Sequence, residues 1–392
     1  MHPEDGSTMV DMLQHASPPP PVLDKAKLGQ VVLVLQGGGA LGAYQVGVFQ
    51  ALAEAGIEPD WVIGTSIGAI NAGIIAGNRP ENRLERINQF WNGVHHDSLT
   101  RLAGTLPIFG AQFANAMTVA MGVPGFFQPN PLAAMGDTWP MRPESTGYYS
   151  TAPLEKTLNA VIDPEVLASC AMRLTVGTAH VQTGEMRYFD SSEQPLTIKH
   201  IMASGALPPA FPAVRIDGEL YWDGGILSNT PVEAVFDARP RRSGVVFMVH
   251  IWNPTGPEPD TLQRVISRQK DLQYASRSRS QIARQGQLHK LRHVVKQLSA
   301  LLPDEVRARP EVAELAAYGC TTQMHVVRLL APPIAGEDHT KDIDFSPAGI
   351  KARYDAGYAH ATQVLAQRPW EGDFDPLEGL ILHETQAGII KE

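Results

Sequence analysis

With 392 residues, 43% of them hydrophobic and 19% charged, the chain can bury a large core, as one big α/β domain or two modest ones. A formal net charge of −9 speaks against nucleic acid as a partner, because phosphate backbones select basic faces. The two cysteines, Cys170 and Cys320, stand in no metal-type spacing, which leaves no disulfide framework or zinc site and fits a reducing compartment.

Residues 1–28 read as a flexible, proline-containing leader: Glu4 and Asp5 open it, and no apolar run precedes Pro18 to Pro21, so it lacks the features of a secretory signal. No segment offers the roughly 18 uninterrupted apolar residues of a membrane span. The expectation is a soluble, cytoplasmic protein whose membrane contact, if any, is peripheral.

The fold starts at residues 31–36 (VVLVLQ), an apolar β-branched run suited to a strand buried on both faces. Glycines 37–39 follow, and then a helix in which Leu41, Tyr44, Val48 and Leu52 keep helical spacing and Gly56 stands at the C-terminal cap. A second strand over 60–66 and a helix of small residues over 67–78 complete a strand–helix–strand–helix unit, which implies a parallel sheet with right-handed crossovers. Residues 95–150, rich in Gly, Pro, Met and Phe, read as an insertion of loops and short helices. Alternation resumes with a helix from Pro153, strands near 171–178 and 185–190, a helix near 196–205, and strands over 219–223 and 244–252. One long helical stretch is expected over roughly 258–302, a last strand over 322–330, and a last helix from Ser346. No flexible linker separates these parts, so residues 29–255 read as a core and 256–392 as a helical segment, strand and helix packed on the same domain.

The chemistry concentrates in three glycine-rich turns. Gly64-Thr65-Ser66-Ile67-Gly68 lies between a buried strand and a helix, the context of a nucleophile elbow. Gly64 and Gly68 permit the tight turn, Ser66 is presented at the C-terminal edge of the sheet, and the helix dipole favours negative charge beside it. Gly37, Gly39 and Gly42 also satisfy the spacing of a dinucleotide loop, but that role wants an acid at the end of the second strand, and Asp60 is at its beginning. Two successive parallel strands deliver their loops to one edge, so the backbone N–H groups of Gly37, Gly38 and Gly39 lie beside Ser66, ready to bind an oxyanion. No histidine stands in a strand-end turn with a supporting acid. Asp223 does end a strand, before Gly224 and Gly225, where a partly desolvated carboxylate can take the serine proton.

GGGALG (37–42), GTSIG (64–68) and DGG (223–225), in that order, resemble the signatures of the patatin-like phospholipases, and ASGALPPAFP (203–212) resembles that family's site-lining block. The resemblance spans about residues 30–252. It implies a three-layer α/β/α fold with a mostly parallel central sheet and helical insertions. It also implies a Ser66–Asp223 dyad without a histidine, an oxyanion hole from Gly37 to Gly39, and hydrolysis of lipid acyl esters without metal or other cofactor. Leu41 departs from the pattern, since many members carry Arg or Lys there; the backbone donors survive that change, while the cation that would support an anionic headgroup contact near the loop is missing.

Two features carry weaker readings. Phe109, Phe113, Met117, Met121, Phe126 and Phe127 suit either a lid or acyl pocket or ordinary core packing. Residues 262–296 hold nine basic residues and a single acid, Asp271, and Leu288, Leu291, Val295, Leu298 and Leu302 make the end of this stretch a basic amphipathic helix, suited to anionic lipid or to packing on an acidic body. An acyltransferase or thioesterase using the same dyad, a dinucleotide-binding protein and a catalytically silent lipid-binding protein are the rival functions.

Overall fold

The computed structural model describes residues 18–95, 118–136, 138–275 and 278–386. In chain order the principal elements are β1 (Gln30–Leu35), α1 (Ala43–Glu54), β2 (Trp61–Thr65), α2 (Ile67–Ala76), α3 (Arg83–Gly93), β3 (Gln128–Pro129), β4 (Tyr149–Ser150), α4 (Ala152–Val161) and α5 (Pro164–Ser169). There follow β5 (Arg173–His180), β6 (Met186–Asp190), α6 (Ile198–Ser204), β7 (Val214–Ile216), β8 (Glu219–Asp223), α7 (Glu233–Asp237) and β9 (Gly244–His250). The C-terminal third holds α8 (Leu262–Tyr274), α9 (Ser278–Ala300), α10 (Asp304–Arg307), α11 (Pro310–Ala316), β10 (Met324–Leu330), α12 (Pro347–Gln367) and β11 (Leu380–Gln386).

The central sheet runs β11-β10-β9-β1-β2-β5-β8-β7, with β6 paired to β5 off this path. From β11 to β5 every pairing is parallel, and β6, β7 and β8 add an antiparallel margin. Strand alternation sorts the core to two faces. Val31, Leu33 and Leu35 of β1 join the larger cluster under α1, α2, α3 and α12, while Val32 and Val34 join a second with Phe236 of α7 and Ile282 of α9. The fold is therefore a three-layer α/β/α sandwich.

Two expected elements change. The single helical stretch over 258–302 is two helices, α8 and α9, with Ala275 closing the first. β10 is not the last strand: β11 adds a parallel edge beside it, and its sequence, with His383, Glu384 and Thr385 in the middle, lacks the apolar run that identifies interior strands. The apolar stripe expected on α9 faces outward, with Leu291 61% and Leu298 59% exposed, and the side chains this helix buries include Ile282, His289 and His293. Of the Met/Phe-rich insertion, Phe109, Phe113 and Met117 lie outside the described residues.

α1 and α12 pack backbone to backbone through a glycine pair. A Cβ on Gly47 would stand 2.0 Å from the Tyr354 carbonyl oxygen, and one on Gly357 would stand 2.0 Å from that of Tyr44. The phenol of Tyr358 donates to Glu54 at 2.6 Å, and Tyr44 Oη shares a hydrogen bond with His360 Nδ1 at 2.6 Å. Gly47→Ala is expected to destabilise the protein by about 3 kcal/mol, the upper end for overpacking, as read from urea denaturation midpoints.

Candidate active site

Ser66 follows β2 directly and caps α2 with φ 57° and ψ −129°, a left-handed conformation that turns the chain sharply out of the sheet. The turn closes only because its flanking residues lack side chains. A Cβ on Gly64 would lie 2.2 Å from the Gly68 carbonyl oxygen, and one on Gly68 2.3 Å from that of Leu35. The Ser66 N–H points back into the fold, 3.1 Å from both the carbonyl oxygen and Oγ of buried Ser204, which ends α6. Ser204 Oγ in turn donates to the Gly177 carbonyl of β5 at 2.6 Å, so the elbow is clamped from below.

Asp223 ends β8 in register with Thr178 of β5 and is only 1% exposed. Its carboxylate accepts a hydrogen bond from the Gly225 N–H at 2.7 Å, and the Ser66 hydroxyl lies beside it as a second donor that lowers its pKa. Burial pushes its pKa up to about 7, against the smaller lowering effect of these two donors. Gly224 passes against β5, where a Cβ would meet the Gly177 carbonyl oxygen at 2.5 Å; Gly225 passes the carboxylate itself, with a Cβ 3.0 Å from Asp223 Oδ1.

The glycine loop after β1 lies against Ser66, as a Cβ on Gly37 would come 2.8 Å from Ser66 Cβ. Its three amides are not equivalent. The Gly37 N–H donates to the Asn229 carbonyl at 3.1 Å and is taken up by the scaffold. Among the described residues the Gly38 and Gly39 N–H groups have no such backbone partner, whereas Gly37, expected as a third oxyanion donor, has one. Gly39 has φ 57°, and a Cβ there would fall 2.3 Å from the Asp342 carbonyl, the same oxygen that accepts from Ala40 N–H at 2.8 Å. Gly42 meets the start of α2, where a Cβ would lie 2.6 Å from Ile67 Cγ1. Leu41 is buried in the larger core cluster, so an apolar residue suits that position.

Residues not singled out by sequence tie these loops together. Gln36, fully buried, accepts from the Ile251 and Trp252 N–H groups at 2.7 and 3.1 Å and donates to Thr230 Oγ1 at 2.8 Å and to the Tyr274 carbonyl at 3.0 Å. Asn229 Nδ2 donates to the Gly37 and Tyr274 carbonyls at 3.0 and 2.9 Å, and Trp252 Nε1 to Gly37 at 2.8 Å. Each is a polar side chain whose role depends on chain segments more than 190 residues away in at least one contact, which no local pattern signals.

Ser66 and Asp223 open on a cavity of about 250 Å³ walled largely by apolar groups. Phe126, Phe127, Tyr149 and Phe211 form one aromatic cluster, with ring centroids 4.9 Å apart for Phe127–Tyr149 and 5.3 Å for Phe127–Phe211, and Phe345 joins it 5.7 Å from Phe126. Gly205, Leu207, Ala210 and Phe211 come from the 203–212 block, and no histidine is among the lining residues. Tyr274, Asp342, Ile343 and Phe345 bring the C-terminal third into the same wall.

The patatin-like phospholipase family matches residues 33–236, more than half of the chain, and a second family described as patatin phospholipase matches 272–377. The chain belongs to the patatin-like phospholipase family. Both matched segments meet at the cavity just described. Lysophospholipase nte1 of Aspergillus terreus is 27% identical over 61% of this chain, and patatin-like phospholipase domain-containing protein 7 of Mus musculus is 28% identical over 56%. The chain spans 14% and 13% of the length of those two relatives. Among solved structures, VipD from Legionella pneumophila aligns with TM-score 0.38 at 16% identity, covering 90% of this chain and 71% of that one. Among the described residues no helix is long and apolar enough to cross a membrane.

Ser204→Ala separates the elbow's support from its chemistry. The Ser204 backbone carbonyl still accepts from Ser66, while the buried Gly177 carbonyl loses its donor, at a cost of about 1–3 kcal/mol. Thermal melts are expected to show that loss, and kcat/KM to fall about tenfold or more as Ser66 shifts.

Proposed function

We propose that this patatin-like chain is a lipid acyl-hydrolase acting on phospholipids or lysophospholipids through a Ser66–Asp223 dyad. The observation that carries the reading is the Ser66 hydroxyl set beside a buried carboxylate, at the mouth of an aromatic cavity and beside two unengaged backbone amides. Asp223 takes the proton as Ser66 Oγ attacks the ester carbonyl. The Gly38 and Gly39 N–H groups, with the N-terminus of α2, stabilise the tetrahedral oxyanion, and losing one such donor typically costs about 10²–10³ in rate. Asp223 then returns its proton to the departing alcohol, and the acyl chain stays on Ser66 among Phe126, Phe127 and Phe211. Water deprotonated by Asp223 releases the fatty acid. Nothing in this cycle calls for a cofactor.

The fungal relatives, named lysophospholipases, favour a lysophospholipid among candidate substrates. Exposed Val119, Met121, Ile226 and Leu227 lie at or close in sequence to cavity-lining positions and suit contact with a lipid aggregate. In this reading the chain works on a peripheral lipid surface in the cytoplasm.

The test is incubation of the purified protein with 1-palmitoyl lysophosphatidylcholine, with fatty acid measured by mass spectrometry and a fluorophosphonate probe mapped by peptide digestion. Released palmitate together with probe on Ser66 is expected. Palmitate transferred to an added alcohol in place of water would establish an acyltransferase instead. A protein that binds the lipid but neither takes the probe nor turns over would overturn the hydrolase reading.

A further inference from the structure

A second cavity, of about 370 Å³, lies at the other edge of the sheet. It opens where the parallel strands begin, with Gln30 of β1, Trp61 of β2, Arg173 of β5 and Met324 of β10 on its walls. Trp61 starts the strand that Ser66 follows, so the two cavities stand about 16 Å apart along a five-residue strand. Nothing in the ester chemistry reaches this far.

The charge around it is one-sided. Arg173, Arg239, Arg241 and Arg242 line the cavity against a single carboxylate, Asp60. Asp60 is already satisfied by Lys25 at 2.6 Å and the Val31 N–H at 2.8 Å, and Arg173 is held by Asp190 at 2.9 Å. Among the described residues Arg239, Arg241 and Arg242 have no carboxylate within ion-pair distance, and neither does Arg292 of α9, whose charge repels that of Arg241. Asp237 is the acid that acts on Arg241, from farther away.

Buried donors point the same way. Arg241 Nε and Arg292 Nη1 are shielded from solvent without a hydrogen-bond acceptor, and neither ring nitrogen of His289 has a partner, one of them an N–H donor in a ring that burial keeps neutral by pushing its pKa down to about 4. His289 is fully buried and lines the cavity, so its polar atoms have no solvent to turn to. Leaving such groups unpaired carries a desolvation penalty, and clustering guanidinium groups adds repulsion. An anion with several acceptor oxygens answers both, and guanidinium is the side chain whose fork matches phosphate geometry.

We propose that this cavity is a binding site for a phosphate group, held by Arg241 and Arg242 with His289 beneath it, separate from the ester-cleaving site. The apolar wall of Val235, Phe236 and Met324 leaves room for an organic portion of the ligand. A phosphorylated small molecule and the headgroup of a phospholipid share this chemistry, and the arms of the experiment separate them.

The experiment is calorimetric titration of the full chain carrying Ser66→Ala, so that no probe is consumed, with inorganic phosphate, glycerol 3-phosphate and dihexanoyl phosphatidic acid below its micelle concentration. Sodium chloride at matched ionic strength is the control. Saturable binding of a phosphate probe, weakened at least tenfold by Arg241→Gln, is expected. The same substitution relieves repulsion, so its melting temperature in phosphate-free buffer should not fall, whereas a purely structural arginine would lower it. If Arg241→Gln does not fold, Arg239→Gln/Arg242→Gln, at two exposed positions, carries the same comparison. Comparable affinity for glycerol 3-phosphate and phosphatidic acid, both lost with the arginines, assigns a soluble phosphate ligand. Affinity for phosphatidic acid at least tenfold tighter, equally arginine-dependent, assigns a lipid headgroup. No binding beyond the chloride control, or binding indifferent to the arginine substitutions, overturns the proposal.

Discussion

Ser66→Ala is expected to lower kcat/KM toward a lysophospholipid by about 10⁴-fold or more, since removing a nucleophile from a unit that acts together removes nearly all of that unit's contribution. The fold should survive. The left-handed backbone at residue 66 is imposed by Gly64, Gly68 and the Ser204 clamp, none of which the substitution touches. Alanine adopts φ 57° no less readily than serine, because both carry one Cβ. The variant does strip Asp223 of its side-chain donor, and that donor lowers the carboxyl pKa. The folded variant should therefore hold the Asp223 proton to higher pH than wild type, readable by carboxyl-edited infrared titration. Fatty-acid release by a folded Ser66→Ala protein at more than about a hundredth of the wild-type rate would remove Ser66 from the mechanism.

Asp223→Asn is expected to lower kcat/KM by about 10²–10⁴, the range for losing a positioned general base, and to make the protein more stable at the same time. Desolvation holds the folded carboxyl at about 7 against an ordinary value of 3.8. The folded state therefore binds more protons than the unfolded one across that interval, and this residue weakens the fold progressively as pH rises from about 4 to 7. Above pH 7 the penalty is complete, up to about 4 kcal/mol at 1.36 kcal/mol per pH unit. Asparagine can still accept from Gly225 and carries no charge, so its melting temperature should exceed that of wild type most at pH 8 and least near pH 4. For wild type the same ionisation shapes catalysis: kcat/KM should rise tenfold per pH unit below about 7 and level off above it. A pH-independent rate between 5.5 and 8, or an Asp223→Asn melting curve that is no higher at pH 8, would show that the carboxyl is not the base described.

Local pattern determined a good deal of this protein. The strand–helix order, the parallel sheet, the elbow at Ser66 and the glycine run after β1 are all legible because each is a contiguous segment. Its residue types answer to backbone geometry: β-branched runs for buried strands, glycine where chains touch. Asp223 was readable for a related reason, since a strand end followed by two glycines announces a tight, exposed turn. The sequence could not show that β8 runs antiparallel to β5, the pairing that brings Asp223 under Ser66 across more than 150 residues of chain.

Only the tertiary structure decided which amides of the glycine loop are taken up by the scaffold, because Gly37 is occupied by a carbonyl from residue 229 and the others are not. It also decided that the C-terminal third walls the cavity through Tyr274, Asp342 and Phe345. The same holds for α9. Its leucines share an amphipathic face that stands exposed, while its buried side chains include His289 and His293, near Arg292 with its unpaired Nη1. Periodicity records which residues share a face; what that face meets is set by the other elements packed against it. The basic cavity at the N-terminal edge of the strands is the extreme case. Its walls come from segments spread between residues 30 and 324, brought together by sheet order and not by any motif.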